Sequence, residues 1–170
     1  MRSHRVAAAV FVVAVATETA ASSESAISIF EDLCRSQPRT EDGMISRAEA
    51  RQAVELPPGI FADDWPGEIT SRLGRMQGDE VVWGVFFGEL QVGENAALSC
   101  SLIWMKSDAI EDDGLIDALT DRFDEPANGG AMVGFSFADW HLDIDGRKEW
   151  LILQADQRGT ALHSIIRKDA

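Results

Sequence analysis

Asp139, His141 and Asp143 alternate along one stretch of the chain, and these residue types could do chemistry together. In a strand, residues two apart project from the same face, so two carboxylates and an imidazole would line up. Such donors can hold a divalent metal ion, with Asp145 in the following turn as a further oxygen donor. The alternative, which we favour, is a solvated sheet face that is polar because its reverse is buried.

Hydrolytic chemistry has weaker support in the sequence. Ser99, Ser101, His141 and His163 could supply a nucleophile and a base, but no serine lies in a G-x-S-x-G elbow. His163 follows Leu162 in a predicted strand, where a structural histidine is the commoner role. We therefore predict neither catalytic residues nor a cofactor.

Two further groups of residues have structural explanations. The acidic run at residues 111–113 opens a predicted helix, where carboxylates favour the positive end of the helix dipole. Phe135, Phe137, Trp140 and Trp150 fall in predicted strands, so we predict that they belong to the core rather than to a ligand-stacking surface.

The N-terminus has the layout of a secretory signal peptide. Arg2 and Arg5 precede an unbroken apolar run over residues 6–16, and small residues follow at the end of the segment 1–21. The run is too short to span a bilayer, which needs about 20 residues. We expect residues 1–21 to be removed, leaving one domain over 22–170 in the periplasm or outside the cell. A short buried N-terminal helix is the alternative.

Export changes the interpretation of the two cysteines, Cys34 and Cys100. In an oxidising compartment they most simply form one disulfide, which closes a long loop and is worth roughly 4 kcal/mol. Two buried free thiols are the alternative. A redox-active pair is disfavoured because the chain has no C-x-x-C motif.

Composition and charge exclude some classes of partner. An apolar fraction of 45% with 26% charged residues is typical of a globular domain. The formal net charge is −14, and loss of two arginines and one glutamate with residues 1–21 would leave −15. Such a charge repels nucleic acid and anionic lipid, so we expect an unknown protein or small molecule as partner and no membrane span in the mature chain.

Hydrophobic periodicity predicts helices first and then mostly strands. The helical pattern covers 26–37, a second helix opening at Ser46, 66–78 and 107–123, and turns are expected at Asp42-Gly43 and Asn128-Gly129-Gly130. The period of two predicts strands over 81–88, 98–105, 132–144, 149–155 and 160–167. The expected fold is α+β: N-terminal helices plus a five-stranded antiparallel sheet in the order strand-strand-helix-strand-strand-strand.

Two resemblances accompany this pattern. The strand-strand-helix-three-strand order resembles profilin-like and PAS-like domains, a likeness of topology that implies no single function. Phe30 and Cys34 in a helix, Cys100 in a strand, and Leu115 and Leu119 in the next helix are similar to small exported proteobacterial proteins of unknown function. That resemblance implies export and a disulfide. The sequence thus predicts a non-catalytic binding or interaction module, with a metal-binding protein or metal-dependent hydrolase using Asp139, His141 and Asp143 as the alternative.

Overall fold

Three helices and eight strands make up the part of the chain that the structure describes. The computed structural model describes residues 25–56, 69–75, 82–92, 95–105, 112–144 and 146–167. Helix α1 covers residues 25–30 and continues as the π-helical turn Glu31–Arg35, while α2 is Glu41–Ala50 and α3 is Asp112–Phe123. The strands are β1 (Val54–Glu55), β2 (Ile69–Arg75), β3 (Val82–Val92), β4 (Asn95–Met105), β5 (Asn128–Met132), β6 (Phe135–Ile144), β7 (Arg147–Asp156) and β8 (Gly159–Arg167). No helix within these ranges is long and apolar enough to cross a membrane.

The strands form one sheet that joins two four-stranded meanders. Its order is β1-β2-β3-β4-β8-β7-β6-β5, and every neighbouring pair is antiparallel. The last strand of each meander lies at the centre, where Leu102 of β4 pairs with Leu162 of β8. The α+β class with an antiparallel sheet is therefore confirmed.

One face of the sheet packs against the helices and forms the core. Because side chains alternate along a strand, the same face receives Trp83, Leu102, Trp104, Trp140 and Leu151, each at most 2% exposed. The helices cover these side chains with fully buried apolar residues: Ile27, Phe30, Leu33, Met44, Leu115 and Leu119. Burial of this apolar surface is the main stabilising contribution to the fold.

The other face carries no described helix, and we call it the open face. It presents the alternate side chains of the central strands: Phe86, Ser99, Ser101, Ile103, Asp139, His141, Asp143, Lys148, Trp150, Ile152, His163, Ile165 and Arg167. These side chains are a mixture of apolar and polar groups. The open face is exposed at the end that carries His141 and Trp150, whereas Ser99 and Ser101 near its centre are at most 3% exposed.

The prediction of five strands is wrong, because the sheet has eight. The five predicted strands correspond to β3, β4, β6, β7 and β8, whereas β1, β2 and β5 were not predicted. The profilin-like or PAS-like arrangement is not confirmed.

Strand β2 replaces the described part of the helix predicted over 66–78. Ile69 and Leu73 are four residues apart, a spacing that suits a helix face but, being even, also places both residues on one face of a strand. Pairing with β3 decides between the two states. Gly74 fits this pairing, because a Cβ atom there would lie 2.1 Å from the ring of Trp83.

Two other local predictions are corrected. Thr40 rather than Ser46 caps α2, with its side chain accepting a hydrogen bond from the Gly43 amide at 3.2 Å, so Asp42-Gly43 lies inside the helix. The predicted break at Asn128-Gly129-Gly130 is strand β5, and the chain turns instead at Gly134, whose φ of +75° favours glycine. The predicted signal peptide over residues 1–21 lies outside the described residues.

Candidate functional site

Strand β6 places Asp139, His141 and Asp143 on the open face, side by side as predicted. His141 Nε2 lies 3.0 Å from Asp139 Oδ2, and the side-chain amide of Asn128 donates to the same oxygen at 3.2 Å. The His141 side chain is 59% exposed. These contacts make Asp139 and His141 a surface pair that is accessible to solvent.

Asp143 interacts with other groups at the end of β6. Lys148 Nζ lies 2.5 Å from its Oδ2, and the Gly146 amide donates to its Oδ1 at 3.1 Å. The hydrogen bond and the charge of Lys148 hold the pKa of Asp143 below its usual value. Within the described residues no three His, Cys, Asp or Glu side chains come together to hold a metal ion, and Asp145 lies outside them. Metal binding by Asp139, His141 and Asp143 therefore stays a prediction.

A groove beside Trp150 lies on the open face at one end of four neighbouring strands. Its volume is about 240 Å³, and its lining comes from β4, β6, β7 and β8: Ala96, Ala97, His141, Leu142, Asp143, Lys148, Glu149, Trp150, Ile165 and Arg167. Trp150 is 42% exposed, so the prediction that it belongs to the core is wrong. Apolar side chains with a few polar groups at the rim are the usual construction of a small-ligand site.

The rim of the groove carries two cationic side chains in a strongly acidic protein. Lys148 precedes Glu149 and Arg167 follows Ile166, and because Glu149 and Ile166 are paired across β7 and β8, both cations lie at the same end of the open face. Asp143 neutralises Lys148, whereas Arg167 is exposed and has no ion-pair partner among the described residues. The groove therefore combines an apolar floor with an exposed guanidinium group.

Ser101 and His163 form a buried polar pair further along the open face. Ser101 Oγ and His163 Nδ1 share a hydrogen bond of 2.7 Å, and Ser101 is only 1% exposed. Burial lowers the pKa of His163 from 6.5 to about 4, which makes it a weak base. No carboxylate in the described part of the chain is hydrogen-bonded to His163. The pair resembles a structural contact more closely than a catalytic dyad.

The burial of His163 predicts a pH dependence of stability. The folded state favours the neutral imidazole, so the unfolded chain binds this proton first as the pH falls. The contribution of the neutral His163 side chain to the free energy of unfolding is complete above the unfolded pKa of 6.5. This contribution is lost as the pH falls towards 4. The wild type should lose about 3 kcal/mol more than His163→Asn between pH 7 and pH 4.

Urea unfolding of both proteins at half-unit steps of pH would measure this difference. The asparagine side chain of the variant keeps a hydrogen-bond partner for Ser101, and the carboxylates that titrate in this range are common to both proteins. If the free energies of unfolding of the two proteins change with pH in parallel, His163 does not have different pKa values in the folded and unfolded states.

A buried ionic network on the helix face was missed by the sequence reasoning. Glu149 is 1% exposed, and its two oxygens accept hydrogen bonds from Arg35 Nε at 3.0 Å and Arg39 Nη1 at 3.2 Å. The Ser164 hydroxyl donates to the same carboxylate at 2.6 Å. Arg35 also lies over the Phe123 ring, 4.5 Å from its centroid. The network joins α1, α3, β7 and β8. Because both oxygens of the buried Glu149 are hydrogen-bonded, the network has a structural role.

The remaining predicted residues have structural positions. Cys34 of α1 and Cys100 of β4 form the predicted disulfide. Phe135 and Phe137 are only partly buried and lie outside the core cluster, so the prediction that they belong to the core is wrong; their rings stack with centroids 6.2 Å apart. The core residue Trp140 donates its indole N–H to the carbonyl of Asp124 at 2.9 Å. The side chains of the acidic run at 111–113 lie outside the described residues.

The site is thus an apolar groove with a basic rim, beside a histidine–aspartate pair and away from the buried Ser101–His163 contact. The histidine that is hydrogen-bonded to a serine is buried, and its imidazole has no acidic partner in the described structure. Comparison of the chain with known protein families, curated proteins and solved structures found no match.

Proposed function

We propose that the protein is a non-catalytic binding module whose ligand occupies the groove beside Trp150. The observation that carries this proposal is the 42% exposure of Trp150 on the open face, beside a groove of about 240 Å³. Ligand sites for drug-sized molecules run from roughly 300 to 1,000 Å³. The groove is therefore suited to a small molecule or to one or two side chains of a partner.

The chemistry of the groove favours an anionic ligand with an apolar body. Trp150 and Ile165 offer apolar surface, and Arg167 offers a guanidinium group that binds carboxylates and phosphates through two parallel hydrogen bonds. Asp143 would repel an anion, but Lys148 neutralises it at 2.5 Å. The predicted ligand is a small carboxylate with an aromatic or aliphatic chain.

The test uses three probes of equal chain length: octanoate, octanol and octylammonium. Each probe is titrated into the protein, and the rise in unfolding midpoint is measured. Octanoate should raise the midpoint most. Trp150→Ala should weaken its binding at least tenfold, about 1.4 kcal/mol. Arg167→Gln should remove the preference for octanoate over octanol.

Val54→Ala provides a matched control, because Val54 is an exposed apolar side chain, 61% accessible, on β1 at a distant edge. This variant should bind octanoate like the wild type. Equal binding by Trp150→Ala, or no midpoint shift with any of the three probes, would contradict a ligand site in the groove.

The proposal also includes export to the periplasm or the medium after removal of residues 1–21. The basic and apolar pattern of that segment supports it, and the disulfide is consistent with an oxidising compartment. Mass measurement of the protein recovered from the periplasm and from the medium would give the cleavage point.

The likeness of the strand-strand-helix-three-strand part to profilin-like and PAS-like domains remains a proposal about the fold family.

Metal binding is the second candidate function, and the Asp139–His141 contact of 3.0 Å favours it. A divalent ion would recruit this pair, with Asp143 joining only if it leaves Lys148. A rise in unfolding midpoint with Zn²⁺ that is lost in His141→Ala would support this candidate. An equal rise in both proteins would end it.

A further inference from the structure

Strand β5 forms an uncovered edge of the sheet with unusual properties. All five residues of Asn128–Met132 are exposed, and within the described residues β5 pairs only with β6. Met132 is 69% exposed and the adjoining Val133 is fully exposed. A sheet edge presents unpaired backbone N–H and C=O groups that can pair with another chain.

This edge lacks the usual features that prevent such pairing. Natural edges are commonly blocked by charged side chains, especially lysine, or by proline within the strand. The segment 127–138 contains no charged residue and no proline, although the whole chain carries a net charge of −14. At the opposite edge of the sheet, the two-residue strand β1 pairs with Arg72 and Leu73 of β2.

Charge is distributed unevenly along the edge. Asp124 and Glu125 are exposed directly before β5, and Asp139 lies opposite Asn128 at the same end. The other end is apolar, with Met132 and Val133 exposed beside the Phe135 ring. Residues 123–139 have three carboxylates and neither lysine nor arginine. An occupant that complements this edge needs positive charge at one end and apolar side chains at the other.

We propose that β5 binds an extended, basic segment of a partner protein by strand addition. Since every pair in this sheet is antiparallel, the added strand is expected to run antiparallel to β5. Its N-terminal half would then lie beside Met132 and Val133 and its C-terminal half beside Asp124 and Glu125. The partner segment should therefore be apolar first and carry lysine or arginine after that. This site is separate from the groove and does not depend on it.

The probes are three labelled peptides, each built on six alternating valine and threonine residues. One ends in two lysines, one begins with two lysines, and one ends in two glutamates. Fluorescence anisotropy at low and at physiological salt should show the tightest binding for the peptide ending in lysines. The preference should weaken as salt screens the charges.

Two exposed edge residues give a matched pair of variants. Met132→Lys should weaken binding of the peptide ending in lysines at least tenfold, by like-charge repulsion and loss of apolar contact. Val54→Lys, on β1 at the other edge, should leave binding unchanged. The double variant Asp124→Asn/Glu125→Gln should reduce both the affinity and its salt dependence, and unfolding midpoints confirm that each variant is folded.

Several results would overturn the proposal. Equal binding of all three peptides, or equal loss in Met132→Lys and Val54→Lys, would show that β5 is not a selective edge. A concentration-dependent dimer that Met132→Lys disrupts would assign the edge to a second copy of this chain instead. No binding of any peptide at millimolar concentration would exclude strand addition of a basic segment.

Discussion

Replacing Glu149 with alanine is expected to lower the free energy of unfolding by about 3–5 kcal/mol, because it leaves the buried Arg39 without its carboxylate partner and Arg35 with only Glu31, at 3.6 Å. The side chains of Arg35 and Arg39 that face Glu149 are only 10% and 14% exposed. The substitution also removes the acceptor of the Ser164 hydroxyl. Urea unfolding at pH 7, followed by tryptophan fluorescence, measures the effect.

Two variants sharpen the interpretation of this result. Asp32→Ala breaks the pair between Asp32 and Arg51, whose side chains are 37% and 35% exposed, and should cost at most about 1 kcal/mol. Glu149→Gln keeps the shape and one acceptor oxygen, so its cost should fall between those of the two alanine variants. If Glu149→Ala costs no more than Asp32→Ala, the two arginines find other partners or water, and the network is not a stabilising element.

The central strands could be predicted from the sequence because local pattern and tertiary environment agree there. In β4 the even-numbered residues Cys100, Leu102 and Trp104 are large or apolar and face the core, while Ser99 and Ser101 face the other way. The period of two is therefore visible in the sequence itself. The predicted range 98–105 lies within the observed Asn95–Met105.

The edge strand β5 could not be predicted in this way. Its residues are all exposed, so no alternation of apolar and polar side chains marks them. Asn128, Gly129 and Gly130 favour turns on local grounds. They form a strand because β6 supplies backbone partners along the full length of β5. That interaction depends on where the fold places the segment, which local sequence does not record.

The site was predictable only in part. Glu149 is two residues from Leu151 and four from Leu153, so the period of two already indicated a carboxylate on the buried face. A buried carboxylate requires cationic partners, but Arg35 and Arg39 are 114 and 110 residues away in sequence, and nothing local identifies them. Trp150 alternates to the opposite face with Ile152. Whether that face is covered depends on where the helices pack.

Removal of the disulfide is the second change with a large expected effect. The bond joins residues 66 apart, and in the chain-entropy model its loss costs about 4 kcal/mol, because the unfolded chain gains conformational freedom. Comparison of oxidised and reduced wild-type protein in urea measures this cost without changing any side chain. The denaturant slope should rise on reduction, because the unfolded chain becomes more expanded.

The disulfide also lies beside the Glu149 network, and this permits a test of how it acts. Cys34 precedes Arg35, and Cys100 pairs across the sheet with Ser164, which donates to Glu149. If the bond acts through the unfolded chain, α1 stays in place after reduction, held by Phe30 and Leu33 in the core. The costs of reduction and of Glu149→Ala should then add to within about 0.5 kcal/mol. If the two changes together cost less than the sum of their separate costs by more than about 1 kcal/mol, the disulfide holds Arg35 against Glu149 in the folded state.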